Sequence, residues 1–232
     1  MENIFYPILW VIIFILSATM HEAAHAWAAK RGGDLTAYAG GQVSLDPLPH
    51  IKRQPLGMVV FPLISSFILG WPFGYASAPY DSIWAYNHPR RAAWMAAAGP
   101  AANLLLMVLC AVVIKMGILG GIFLEPDSVG FRHIVDPGPG NTWNGLSIFI
   151  SMMFSLNLIM LVLNLIPLPP LDGSGIISLF LKESSARSYQ TVVTNPIFAF
   201  VGLIIAWRVF DPLINSAFPW IINILYWGAN FR

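Results

Sequence analysis

The stretch IFYPILWVIIFILSATMHEAAHAWAA, residues 4–29, decides how this chain is read. From Ile4 to Met20 it is apolar almost throughout, and helix-forming residues carry it on to Ala29 without a glycine or a further proline. Such a run spans a bilayer as a helix. Yet the same helix carries His21, Glu22 and His25, three ionisable residues within about one turn. Ionisable groups at membrane depth cost several kcal/mol unless something stabilises them. The start of the segment holds Glu2 and no Lys or Arg, and no small-residue cleavage pattern follows, so a signal peptide is not expected.

The remainder of the 232 residues has the same character. Apolar residues reach 57%, charged residues only 10%, and mean hydropathy is +0.68. So few charges cannot cover a water-facing surface, which excludes a soluble enzyme, a secreted module and a disordered linker. A net charge of +1 gives no footprint for nucleic acid, and the single Cys110 excludes disulfide scaffolds and cysteine-based metal sites. Further apolar stretches are Leu56–Ala78, Ala92–Leu124, Gly145–Pro167 and Ile197–Trp227. Pro62, Gly70, Pro72 and Gly74 interrupt the second, which reads as a re-entrant or broken hairpin. Arg208, Asp211 and Pro212 interrupt the last, which reads as two pieces, Ile197–Trp207 and Leu213–Trp227. The expected fold is an all-α polytopic bundle of about five to six transmembrane segments, with a short β-hairpin or re-entrant region after the first helix. Residues 1–232 read as one domain, with a core over about 4–180 and C-terminal helices over about 195–230.

Charge orients the segments. Lys30, Arg31, Lys52, Arg53, Arg90 and Arg91 lie between the first helix and the Ala92 helix, and Lys182 and Arg187 follow the Gly145 helix. The Glu125–Asn144 loop is acidic apart from Arg132. If Leu56–Ala78 enters and returns on one side, all eight basic residues are cytoplasmic. The chain then sits in the cell membrane as a multi-pass protein with the polar end of its first helix toward the cytoplasm.

His21-Glu22-Ala23-Ala24-His25 puts two imidazoles four residues apart on one helical face, a spacing that lets both reach one metal ion. Glu22 beside them is placed to deprotonate a metal-bound water. A catalytic zinc takes a third protein ligand. His50, His88 and His133 sit beside Pro or Arg in polar connections and read as loop residues. Asp172, after the prolines of Asn164-Leu-Ile-Pro-Leu-Pro-Pro-Leu-Asp172-Gly173, reads equally as a ligand or as the cap of a helix beginning near Gly175. Topology tips the choice, because in the re-entrant arrangement Asp172 arrives at the same membrane face as His21 and His25.

These residues resemble the site-2 protease family of intramembrane zinc metalloproteases, in its compact form without appended PDZ or nucleotide-sensing domains. The family's His-Glu-x-x-His matches His21 to His25, and its Asn-x-x-Pro-x-x-x-x-Asp-Gly matches Asn164, Pro167, Asp172 and Gly173. Gly40 to Ile51 is similar to the segment after the first motif, although Gln42, Asp46 and Lys52 depart from it. Ala98-Gly-Pro-Ala-Ala-Asn103 is similar to the central-helix motif, and the whole resemblance runs to about Ile177. It implies one Zn2+ held by His21, His25 and Asp172, Glu22 as general base and acid, and a transmembrane protein substrate such as a membrane-tethered regulator. It also implies that Asn164 binds substrate or the oxyanion; a helix–helix hydrogen bond is the other reading. Asn103 is expected to bond near the site. Leu35–Leu48 is expected as the short hairpin, holding an unwound substrate by strand addition.

Two other classes compete. An ion-binding transporter would show an inverted repeat, which is absent, and a non-proteolytic membrane metalloprotein would not need the complete ligand and base set present here. Ile197–Arg232 lies outside the motifs and reads as scaffold, with a substrate gate as the alternative.

Overall fold

A computed structural model describes residues 4–227 and Phe231; Glu2 and Arg232 lie outside the described residues. The first helix, α1 (Phe5–Gly32), is unbroken. It ends because Gly33 takes φ +98°, a left-handed cap that lets the Asp34 N–H reach the Ala29 carbonyl at 2.9 Å. Lys30 and Arg31 in its last turn suit the negative end of the helix dipole.

The short helices α2 (Thr36–Ala39) and α3 (Pro47–Arg53) follow. Leu35–Leu48 is therefore no β-hairpin. Asp34 Oδ1 accepts from both the N–H (2.9 Å) and the hydroxyl (2.5 Å) of Thr36, which starts a helical turn where an extended strand was expected. The β-pairing lies elsewhere, between β1 (Phe123–Leu124) and β2 (Asp136–Pro137).

A π-helical turn over Leu56–Val60 runs into α4 (Phe61–Ile68), after which the chain comes back without helix through 71–81. The Tyr75 N–H donates to Gly57 O at 3.1 Å, and the Phe73 N–H to Ser65 Oγ at 2.7 Å. Gln54 Nε2 donates to Ser77 Oγ at 2.6 Å, so the start and finish of the unit lie side by side. Gly57 is required for this, because a Cβ there would stand 2.1 Å from Tyr75 O. The segment is thus re-entrant in shape, a short helix in and a non-helical segment out.

Next come α5 (Ser82–Asn87), α6 (Pro89–Leu119), α7 (Asn144–Asn164), α8 (Asp172–Ile176), α9 (Glu183–Val193) and α10 (Pro196–Leu225). Among the described residues, four helices, α1, α6, α7 and α10, are long and apolar enough to cross a membrane. The C-terminal stretch is one helix, not two, with Pro212 and Pro219 inside it. Prolines are tolerated in membrane helices, and Ser216 Oγ donates to Pro212 O at 2.9 Å.

At the centre is α7, buried on all sides from Ile150 to Ile159, which is why its sequence shows no polar stripe. Against it lie α1 and α6, whose small residues, among them Ala18, Ala26, Ala93 and Gly99, let the backbones approach closely. The loop from β1 to α7 folds down onto this trio: Ile134 and Val135 are buried, and Ser151 Oγ accepts from both backbone N–H groups. All eight basic residues named above gather at the opposite end, where α9 packs beside α5 and the start of α6.

Candidate metal centre

The candidate metal ligands come from two elements. His21 and His25 project from α1, and their Nε2 atoms lie 3.0 Å apart. Asp172 opens α8, and its Oδ2 lies 3.1 Å from His21 Nε2 and 3.3 Å from His25 Nε2. It makes no capping hydrogen bond, since α8 begins at Asp172 itself with Leu171 as N-cap; the carboxylate turns to the histidines instead. Gly173 allows that placement, because a Cβ there would fall 2.4 Å from Ile166 O.

Hydrogen bonds settle which ring nitrogens carry protons. The Met153 carbonyl can only accept, so Asn157 Nδ2 donates to it at 2.8 Å and turns Oδ1 toward Asn103. Asn103 Nδ2 donates to that oxygen at 2.9 Å, leaving Asn103 Oδ1 at 2.6 Å from His21 Nδ1. His21 therefore donates from Nδ1. His25 does the same toward Met95 O at 2.7 Å. Both Nε2 atoms are left as bare lone pairs facing each other and a carboxylate oxygen.

Three acceptors at 3.0–3.3 Å repel one another unless a proton or a metal cation lies between them. Ligands at about 2.0–2.1 Å on a tetrahedral zinc are separated by about 3.3 Å, so the donor set and its spacing fit Zn2+. The outer hydrogen bonds, Nδ1–H to an amide or a backbone carbonyl, are those that orient metal-binding histidines. Glu22 is buried beside them with Oε2 unpartnered, and its carboxylate lies within 4.8 Å of the imidazole nitrogens. Gly99 of α6 closes the back of the site. A Cβ there would fall 2.3 Å from His25 Nε2 and 2.6 Å from His21 Nε2.

Comparison with known proteins is decisive at this point. The sequence model described as Peptidase family M50 matches residues 9–208. This chain belongs to peptidase family M50. The M50 chain is 30% identical over 226 residues to the "Putative zinc metalloprotease YwhC" of Bacillus subtilis (strain 168), covering 92% of this chain and 90% of that protein. It is 28% identical over 236 residues to the "Putative zinc metalloprotease Rip2" of Mycolicibacterium smegmatis, covering 97% and 77%. Against the Rip2 of Mycobacterium tuberculosis (strain H37Rv) it is 26% identical, covering 92% and 70%. No solved structure matches it. The resemblance to the site-2 protease family holds, and this M50 peptidase is a multi-pass membrane metalloprotease with zinc as its cofactor.

Not every anticipated residue joins the site. Asn164 donates to Met160 O of its own helix at 3.0 Å and makes no hydrogen bond to the His–Asp cluster. His50 contacts Ser44 O, His88 precedes α6, and His133 pairs with Asp136 at the far end. Asn157 and Gly99 went unassigned in the sequence. An amide inside a run as apolar as α7 was the available signal for Asn157.

Proposed function

We propose that this M50 peptidase hydrolyses a peptide bond within or beside the transmembrane segment of a membrane-protein substrate. His21, His25 and Asp172 would hold the zinc. The observation that carries this reading is that the cluster sits within a helix long and apolar enough to cross a membrane, His25 and His21 lying about 10 and 16 Å along α1 from its end at Gly32. When bound, the zinc supplies Lewis acidity, acidifying water and polarising the scissile carbonyl. Glu22 takes the proton released by the attacking water and returns it to the leaving amine, a role suited to a buried carboxylate with one oxygen free. Asn103 holds His21 in the Nδ1–H form, and Asn157 holds Asn103. Asn164 gives one N–H to Met160 O of its own helix, and its second N–H is the group that would bind substrate or the developing oxyanion.

The return segment 71–81, rather than Leu35–Leu48, is the non-helical stretch that would hold an unwound substrate. The end rich in Lys and Arg faces the cytoplasm, so the site opens there and a membrane-tethered regulator fits as substrate class.

The test is zinc content together with cleavage of a model transmembrane substrate, for wild type and Glu22→Gln. The variant should keep its zinc and lose cleavage by about a hundredfold or more. Cleavage at the wild-type rate would remove Glu22 from the mechanism.

A further inference from the structure

Because α10 is continuous, Arg208 and Asp211 are carried into the middle of a membrane-spanning helix. At 1.5 Å per residue they lie about 18 and 22 Å along a helix about 45 Å long. Charged side chains at that depth almost always face other protein or a water-filled cavity. Here both are exposed, and among the described residues neither makes an ion pair or hydrogen bond. The opposite face of α10, through Gly202, Ala206, Phe210 and Ile214, is the one packed into the molecule.

The charges belong to a pattern. Ile197, Val201, Ile204, Arg208, Asp211 and Asn215 are all exposed and recur at intervals of four, three, four, three and four residues. That heptad spacing is the one that lets two helices pack along a continuous seam. The seam also carries both signs one turn apart, so it complements itself. Two copies inserted in the same sense present parallel α10 helices, and a two-fold axis along the membrane normal then offers Asp211 of each copy to Arg208 of the other. The difference in height, about 4.5 Å, is within reach of an arginine side chain. Lipid cannot neutralise either charge at this depth, and a substrate helix would need its own matched pair at the same level.

We propose that α10 is a homodimer contact, in which Arg208 and Asp211 form a reciprocal four-charge cluster at the bilayer centre. The test uses the whole chain in lipid bilayers, counting copies by single-molecule photobleaching. Disulfide capture through Ile204→Cys in a Cys110→Ala background provides a second readout. The wild-type chain should be dimeric. Arg208→Asp and Asp211→Arg should each weaken dimerisation about tenfold, and the two together should restore it. Retained zinc in each variant shows that the fold survives. A wild-type chain that stays single, or a double variant as weak as the single ones, overturns the proposal. So does a monomer whose substrate cleavage falls on Arg208→Asp with zinc intact, since the seam then faces a substrate helix.

Discussion

Gly99 matters for what it lacks. Its neighbours Ala97, Ala98 and Ala101 show that α6 accepts a methyl group readily along this stretch, so helix propensity does not explain a glycine at 99. The explanation is the space the two imidazoles occupy. Gly99→Ala should leave the helical content of the membrane protein intact and strip it of zinc, as read by circular dichroism and metal analysis; full zinc occupancy would show that α6 can shift away. The candidate ligands were legible in the sequence, because His-x-x-x-His spacing and an aspartate after a proline break are local patterns. Asn157 was not, because its meaning lies in Asn103, on another helix, and nothing local to α7 names that partner.

Among the elements, the re-entrant unit was legible from its prolines and glycines, whereas residues 35–48 were misread. Alternation of Tyr, Val and Leu there looks like a strand, but one carboxylate decides otherwise. Asp34 is buried after α1, where it accepts from Thr36 and, at 2.9 Å, from the N–H of Asp81 on the returning segment. Burial alone would raise its pKa; the Thr36 hydroxyl and the two backbone donors outweigh that and hold it below the ordinary carboxylate value. A carboxyl group depressed in the folded state contributes stability that is complete above its unfolded pKa, about 3.9, and is lost as pH falls through the folded value. Unfolding followed from pH 7 downward should show stability declining below about pH 4, and Asp34→Asn should be less stable at pH 7 with a flatter acid limb. An identical acid limb in the variant would mean that other carboxylates dominate.

For the whole molecule, charge bias and metal-site geometry demanded the same topology from independent observations, which is why the bundle could be anticipated without knowing its packing. The C-terminal helix escaped for the converse reason: a proline breaks helices in water and two charges count against a membrane span, but in a bilayer the backbone has nowhere else to satisfy itself. Single cysteines at Lys30, Gln54 and Ser77, in a chain lacking Cys110, should react with a membrane-impermeant reagent from one face, and one at Glu125 from the other. Gln54 and Ser77 labelling from opposite faces would make Leu56–Ala78 a true crossing.

The run of amides from Met153 through Asn157 and Asn103 to His21 has a mechanical corollary. Each amide has a direction, and turning one end-for-end breaks a bond on both sides of it, so α1, α6 and α7 are keyed together like the pins of a lock. Rotating any one of them against its neighbours would release His21. Movement that keeps His21 in place is left to the periphery, where the return segment meets α10 through the Phe73 ring edge-on to Trp207.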